Sequence, residues 1–166
     1  MLKDYMYNGS KNFHIQNAST DETTHCSSKE DAEKKMAENE KKLDELQQKL
    51  YADKKEGLIV VFQAMDAAGK DGTIAHVLQC LSPHGVYEAA FKAPSSTELA
   101  HDFLWRIAQQ VPAKGEIAIF NRSHYEDVLI GKVKQLYKSQ AHAKRIKVDE
   151  IIERRYKDIQ HFEEYL

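Results

Sequence analysis

A run of five apolar residues, LIVVF at 58–62, passes abruptly into small and polar residues that end in Gly69-Lys70. An unbroken apolar run of this length is typical of a parallel strand that is buried on both faces. Small residues after such a strand let backbone N–H groups approach an anion, and a following helix N-terminus adds partial positive charge. Apolar residues at helical spacing come next: Ile74, Val77, Leu78 and Leu81. The order of strand, loop and helix predicts a phosphate-binding loop.

The loop departs at two positions from the common pattern G-x-x-x-x-G-K-[ST]. Ala64 stands at the first glycine, and Asp71 stands where a Ser or Thr hydroxyl would hold magnesium. Lys70 keeps the positive charge of the pattern. Asp66, inside the loop, would repel phosphates unless it binds the cation that the missing hydroxyl would have held. The other interpretation is a simple strand-to-helix turn with an exposed Asp and Lys.

A second short apolar run, EIAIF at 116–120, predicts another buried strand and leads into NRSHYED at 121–127. In open parallel α/β sheets, ligands collect at the carboxyl ends of the strands, so both loops should face one crevice. Arg122 can fork onto phosphate oxygens, and Glu126 or Asp127 can help to hold a cation.

Glu126 has two interpretations that its spacing leaves open. Ser123-x-x-Glu126 is a capping box, in which the glutamate would bond the backbone of the cap residue and start a helix without any chemistry. A carboxylate at this place beside phosphates can equally hold a metal ion. One carboxylate can also do both.

A third predicted strand, at 86–91, leads into a further loop that faces the crevice. Lys92 at the carboxyl end of this strand is either a phosphate contact or a plain surface lysine. Ser95-x-x-Glu98 predicts the cap of the next helix. The residues of that helix expected to face inward are Leu99, Phe103, Ile107 and Val111.

Composition limits the choice of partners and compartment. Charged residues make up 30% of the chain and the net charge is −2, so nucleic-acid binding is not expected and any basic channel would be local. Two distant cysteines, Cys26 and Cys80, favour a reduced, cytoplasmic protein. No apolar run is long enough to span a membrane, so no membrane partner is expected.

Four sequence segments, in this order along the chain, resemble those of a known family: FQAMDAAGKDGT at 62–73, FKAPS at 91–95, HDFLWR at 101–106 and FNRSHYEDV at 120–128. They resemble the polyphosphate kinase 2 family over about residues 30 to 166. The resemblance implies phosphoryl transfer between inorganic polyphosphate and AMP, ADP or ATP. It also implies magnesium as cofactor and a polyphosphate chain in a basic channel.

The resemblance further implies roles for single residues. Asp66 and Glu126 would be magnesium or catalytic carboxylates, and Lys70 and Arg122 would bind phosphoryl groups. The residues expected to act directly in transfer are Asp66, Lys70 and Arg122. Residues expected to line the phosphate-binding loop are Ala67, Ala68, Gly69, Lys70, Asp71, Gly72 and Thr73.

Two more positions gain an expected role from the same resemblance. Arg106 would lie near the nucleotide or the phosphate channel. Asn121 stands where some members carry Asp, and members with Asn there tend to accept AMP, ADP or both. Together with Lys92 and Arg122, these residues are the expected phosphate or nucleotide contacts outside the loop.

The expected architecture is an α/β, P-loop kinase-like three-layer sandwich with a parallel sheet, incomplete at the C-terminus. Residues 1–28 predict a polar N-terminal arm in which only Phe13 and Ile15 offer burial. Residues 29–166 predict the kinase-like domain, with a helix at 29–54 and a partial catalytic core at 55–166.

The family continues with another core strand and a lid rich in Arg and Lys, whereas this chain stops at Leu166. Two other functions stay open. One is an ATP-dependent nucleotide kinase of the thymidylate-kinase type, against which the missing first Gly and hydroxyl of the loop count. The other is a non-catalytic phosphate-binding remnant, which the missing lid favours. The family often assembles through its core, so a homo-oligomer is a further expectation.

Overall fold

A computed structural model describes residues 6–10, 12–19 and 22–166. Within these residues one sheet forms from three parallel strands, β1 (Leu58–Phe62), β2 (Val86–Ala90) and β3 (Ile117–Asn121), in the order β1-β3-β2. The predicted parallel sheet is confirmed, and each strand lies within one residue of its predicted bounds.

Helices connect and flank the strands. The α-helices are α1 (Lys29–Asp53), α2 (Lys70–Leu78), α3 (Ser96–Leu99), α4 (Trp105–Ala108), α5 (Ile130–Val133) and α6 (Ile151–Tyr165). Short 3-10 helices span Ile15–Asn17, His124–Asp127, Leu136–Lys138 and Val148–Glu150. The predicted helix at 29–54 is α1, and it starts after Ser28, whose Oγ accepts a hydrogen bond from the N–H of Asp31 at 3.2 Å.

The central strand β3 separates two hydrophobic layers. Ile117 and Ile119 face α1 and α2 and pack in one cluster with Ile74. Ala118 and Phe120 point to the other side, because side chains alternate along a strand. There they pack in a second cluster with Phe91 and with Ile107 of α4, against which Phe162 of α6 lies. Helices thus cover both faces of the sheet, which confirms the three-layer α/β architecture.

The strand register brings three loops to one edge of the sheet. Phe62, Ala90 and Asn121 lie level with one another as the last residues of β1, β2 and β3. The β1 loop (63–69), the β2 loop (91–95) and the β3 loop (122–127) therefore all begin at the carboxyl edge, where open parallel sheets bind ligands.

The expectation that β1 is buried on both faces is wrong. Leu58 is 47% exposed and Val61 is 37% exposed. Within the described residues β1 is an edge strand, because the only strand that pairs with it is β3. The continuous apolar run identifies the strand correctly, but strand order decides how deeply the run is buried.

The single helix expected after Ser95 is also wrong, because the structure has two short helices, α3 and α4. The capping box itself forms: the Ser95 N–H donates to Glu98 Oε2 at 2.6 Å, and the Glu98 N–H donates to Ser95 Oγ at 3.3 Å. Asp102 then interrupts the helix by accepting the N–H of Leu104 on its side chain at 3.0 Å. As a result Leu99 is exposed, whereas Ile107 of α4 is fully buried.

The described part of the predicted N-terminal arm buries little. Phe13 and Ile15, the two residues expected to offer burial, are 61% and 74% exposed. Residues 1–5, 11, 20 and 21 of the arm lie outside the described residues. The division at residue 28 stays a prediction. Across the described ranges, no helix combines the length and the apolar character needed to cross a bilayer.

Candidate functional site

The β1 loop carries the chain from the sheet edge into α2 through a tight turn. Ala68 donates its N–H to the carbonyl of Met65 at 3.2 Å. Gly69 has φ 85° and Ala67 has φ 61°. The left-handed region suits glycine but costs alanine about 1 kcal/mol, and such strain collects at functional sites.

The first turn of α2 follows this loop directly. Lys70 is the first helical residue, and its Nζ lies 3.5 Å from Asp71 Oδ2. Thr73 bonds the Gly69 carbonyl through its N–H at 2.9 Å and through its hydroxyl at 3.0 Å. The N–H groups that precede Thr73 in this turn, including that of Gly72, have no acceptor inside the helix, as is general at helix N-termini, which can bind anions.

Arg122 joins the β1 loop to the β3 loop. Its backbone has φ 65°, and its N–H donates to the carbonyl of Phe62 at 3.0 Å. Its guanidinium forms an ion pair with Asp66 and lies 3.4 Å from Glu126 Oε2. Two carboxylates from different loops therefore converge on one positive charge. The side chain of Asp66 is 87% exposed, whereas that of Glu126 is 15% exposed.

The capping-box interpretation of Glu126 is wrong. Ser123 does cap the 3-10 helix His124–Asp127, because its Oγ accepts the N–H of Tyr125 at 3.2 Å. Glu126 does not bond back to Ser123 with its side chain. Its Oε1 accepts the amide of Gln63 at 2.5 Å, and its Oε2 faces Arg122. The carboxylate therefore belongs to the site between the loops.

A crevice of about 370 Å³ opens between the first turn of α2, the β2 loop and the start of the β3 loop. It is lined by Lys70, Asp71, Ala90, Phe91, Lys92, Ala93, Asn121 and Arg122. Asn121 donates to Asp71 Oδ1 and to Glu88 Oε1, each at 2.8 Å. The bond from Asn121 holds the pKa of Asp71 below its ordinary value. Five of the predicted contacts thus share this crevice: Lys70, Asp71, Lys92, Asn121 and Arg122.

Arg106 lines a second cavity and contacts the β2 loop. It donates to the carbonyl of Lys92 at 2.8 Å, and its guanidinium lies over the Phe91 ring. The second cavity has a volume of about 750 Å³. Its lining mixes charged residues of both signs with apolar ones, including Phe103 and Ile151. Arg106 therefore supports the β2 loop, and its role toward a nucleotide stays a prediction.

Asp127, the alternative cation ligand, is engaged elsewhere. Its carboxylate lies 3.3 Å from Arg155 and 3.9 Å from Arg106. Arg155 also bonds the side chain of Gln140 at 2.5 Å and lies over the ring of Phe103. Burial raises the pKa of Asp127, although both arginines oppose this shift, and burial lowers the pKa of Arg155. Glu126, not Asp127, is therefore the carboxylate beside the β1 loop.

Arg155→Met is expected to lower the free energy of unfolding by about 3 kcal/mol near neutral pH. The substitution leaves the largely buried carboxylate of Asp127 with Arg106, 3.9 Å away, as its remaining ion-pair partner. Without Arg155 the folded-state pKa of Asp127 rises further above its unfolded value. A raised acid pKa makes the unfolding free energy fall as pH rises between the unfolded and folded pKa values. The decrease in the free energy of unfolding of Arg155→Met relative to wild type should thus be larger at pH 8 than at pH 5.

Urea unfolding at these two pH values measures the effect. Arg154→Met is the matched control, since Arg154 is 53% exposed and pairs with Glu150 on the surface. It should change the free energy of unfolding by less than about 1 kcal/mol at either pH. If Arg155→Met lowers the free energy of unfolding by the same amount at both pH values, the stabilising role of the Asp127–Arg155 ion pair is wrong.

The donors between the loops fit a magnesium ion that is held partly by substrate. Across the described residues, no group of three or more His, Cys, Asp or Glu is placed to hold a metal ion. Asp66 and Glu126 would supply two carboxylates. Magnesium commonly binds through one or two carboxylates together with substrate phosphates and water.

Three residues were not predicted from the sequence. Gln63 and Glu88 lie at the site, and Arg155 belongs to the buried cluster of Asp127, Arg155 and Arg106. Gln63 directly follows the apolar run of β1, and Glu88 is a charged residue inside a short strand. A polar residue at the carboxyl end of a strand was a usable signal for Gln63. Arg155 carries no such signal, because its partner Asp127 is 28 residues away.

Comparisons with known proteins show the family and the fold of this chain. The family model described as Polyphosphate kinase 2 matches residues 26–166. An AMP/ADP-polyphosphate phosphotransferase of Meiothermus ruber is 42% identical over 99% of this chain, and an ADP-polyphosphate phosphotransferase of Rhodopseudomonas palustris is 54% identical over 55% of it. The crystal structure of Polyphosphate Kinase 2 from Arthrobacter aurescens TC1 superimposes on 98% of the chain with a TM-score of 0.83 and 39% identity.

The matched relatives are longer than this chain. The chain covers 58% of the Meiothermus ruber protein, 32% of the Rhodopseudomonas palustris protein and 56% of the Arthrobacter aurescens chain. The part shared with the Meiothermus ruber protein and with the Arthrobacter aurescens chain spans nearly all of this chain and so contains the sheet and the three loops.

Proposed function

Because the chain belongs to the polyphosphate kinase 2 family, we propose that its site transfers a phosphoryl group between inorganic polyphosphate and AMP or ADP. One observation carries the proposal. The carboxyl edge of the sheet gathers Lys70 and Arg122, the N-terminus of α2, and the two carboxylates of Asp66 and Glu126. Phosphoryl transfer asks the protein mainly to position its substrates and to neutralise charge, and these groups do both.

We propose that polyphosphate lies in the crevice of about 370 Å³, where Lys70, Lys92 and Arg122 offer positive charge. The N–H groups of the β1 loop and of the first turn of α2 would bind its oxygens. Asp66 and Glu126 would hold magnesium, which when bound supplies neutralisation of charge on the phosphates. Arg122, released from these carboxylates as substrate enters, would bind the transferred phosphoryl group.

The larger cavity suits the nucleoside end of the acceptor. Its lining carries both acidic and basic side chains, such as Glu98, Asp158, Arg154 and Lys157, so it is not a channel for a polyanion. Its volume of about 750 Å³ and its apolar patches fit a nucleoside. Arg106 lines this cavity and bonds the carbonyl of Lys92, which lines the smaller crevice, so its guanidinium would lie near the phosphates of the acceptor.

The test compares two phosphoryl donors on this chain. Polyphosphate and ADP with magnesium are expected to give ATP, whereas ATP as donor to AMP or thymidine monophosphate is expected to give little product. Transfer that proceeds with ATP and not with polyphosphate would replace the proposal by a nucleotide kinase of the thymidylate-kinase type. Polyphosphate binding without any turnover would leave a non-catalytic phosphate-binding protein.

The proposal extends to compartment and assembly. Cys26 and Cys80 are both free thiols, which supports the reducing cytoplasm as location. We also propose a homo-oligomer, supported by the family resemblance, and no nucleic-acid partner, supported by the net charge of −2. Light scattering at several protein concentrations measures the assembly.

A further inference from the structure

Gln63 lies between the β1 strand and the carboxylate of Glu126. It is half-buried and is the first residue after β1. Its Nε2 donates to Glu126 Oε1 at 2.5 Å, and its Oε1 accepts the hydroxyl of Ser123 at 3.2 Å. We infer that Gln63 is a positioning residue, which fixes the carboxylate of Glu126 at the edge of the phosphate-binding loop.

The donors and acceptors allow only one orientation of this amide. A carboxylate only accepts hydrogen bonds, so the NH₂ group of Gln63 must face Glu126. The carbonyl oxygen of Gln63 then faces Ser123 and accepts a hydrogen bond from its hydroxyl. The oxygen of Ser123 in turn accepts the N–H of Tyr125 at 3.2 Å, and Ser123 is fully buried. The chain of hydrogen bonds from Gln63 thus ends at a buried side chain that is itself bonded to the backbone of the β3 loop.

Gln63 holds Glu126 more closely than Arg122 does. The bond from Gln63 is 2.5 Å, whereas the contact from Arg122 is 3.4 Å and goes to the other oxygen. The amide carries no charge, so it fixes the carboxylate without neutralising it. Gln63 can therefore keep the carboxylate of Glu126 in place when Arg122 turns to a phosphate.

The inference rests on the proposed role of Glu126 as a magnesium ligand. Groups that orient a ligand through a hydrogen bond typically change metal affinity by about 10- to 100-fold when they are removed. Gln63→Met keeps the length of the side chain but removes both of its bonds. We expect it to raise the magnesium concentration for half-maximal binding, measured by titration calorimetry with tripolyphosphate bound, by about 10-fold.

Two further measurements separate positioning from a merely structural role. Polyphosphate affinity without magnesium should change less than about 2-fold in Gln63→Met, because no charge is lost. In turnover the variant should need more magnesium. Gln48→Met is the matched control, since Gln48 is exposed on α1 and makes the same kind of amide bond to Asp44 at 2.9 Å. It should leave all three quantities unchanged.

A double exchange tests the bond itself. Gln63→Glu with Glu126→Gln restores an amide–carboxylate bond but moves the charge to the β1 loop. We expect it to recover the thermal stability lost in Gln63→Met without recovering the magnesium affinity. Should Gln63→Met fail to fold, Gln63→Asn replaces it, because the shorter side chain cannot reach Glu126 and should shift the magnesium dependence in the same direction.

The outcomes distinguish this inference from the proposed function. If the wild-type chain binds magnesium with tripolyphosphate and Gln63→Met has the same affinity, the positioning role of Gln63 is overturned and the proposed function stands. If Gln63→Met loses only thermal stability, Gln63 is structural. If the wild-type chain shows no magnesium-dependent binding or transfer, the proposed function fails, and the role of Gln63 falls with it.

Discussion

Asp66→Asn is expected to lower magnesium-dependent phosphoryl transfer by about 1,000-fold, which corresponds to about 4 kcal/mol of lost transition-state stabilisation. The side chain of Asp66 is 87% exposed at the tip of the β1 loop and forms an ion pair with Arg122. Replacing its charge removes one of the two carboxylates that would hold magnesium.

The same variant should bind polyphosphate equally well or more tightly when magnesium is absent. A negative charge has left a phosphate site, and Arg122 has lost a competing partner. The measurements are initial rates of ATP formation with magnesium and polyphosphate affinity in a chelator.

Asp53→Asn is the matched control, because Asp53 lies at the end of α1 and forms an exposed ion pair with Lys55. It should change neither rate nor affinity. Near-normal transfer by Asp66→Asn would mean that Asp66 is a loop residue without a metal role.

The gathering of the loops at one edge follows from the sequence. Three predicted strands, each followed by polar residues, have carboxyl ends that should meet at one edge of a parallel sheet, and β1, β2 and β3 end level at Phe62, Ala90 and Asn121. Strand order does not follow from the same pattern. The runs at 58–62 and 117–121 are similarly apolar, yet β3 is central and β1 lies at the edge of the described sheet.

The two Ser-x-x-Glu patterns of this chain show how far local sequence reaches. At Ser95 and Glu98 the reciprocal capping bonds form. The Glu98 carboxylate lies closer to the Ser95 N–H, at 2.6 Å, than to the competing guanidinium of Arg106, at 3.9 Å. At Ser123 and Glu126 the same spacing gives a different result. Gln63, 60 residues away from Ser123, supplies a bond to Glu126 that replaces the capping bond.

Contacts between residues distant in sequence account for most of what the sequence did not predict. The break of the helix after Leu99 has a local cause in the side chain of Asp102, but its position depends on packing Ile107 into the core. The cluster of Asp127 and Arg155 joins the β3 loop to α6. No spacing rule relates these positions, so only the folded chain reveals the pair.

Glu126→Gln is expected to lower phosphoryl transfer by about 100-fold or more and to raise the magnesium concentration that transfer requires. The structure removes the cap as an explanation of this residue, so a large kinetic effect would reflect the charge of Glu126. Stability should change by at most about 1 kcal/mol, because the amide oxygen of the substituted side chain can still accept the bond from Gln63.

Glu116→Gln is the control for Glu126→Gln. Glu116 precedes β3 at the opposite end of the sheet, and its carboxylate accepts the N–H of Ala113 at 3.2 Å, which a glutamine can also do. The measurement pairs thermal unfolding with initial rates over a series of magnesium concentrations. If Glu126→Gln has wild-type rates and wild-type magnesium dependence, Glu126 is not a magnesium ligand. Of the two carboxylates, Asp66 alone would then bind the proposed magnesium ion.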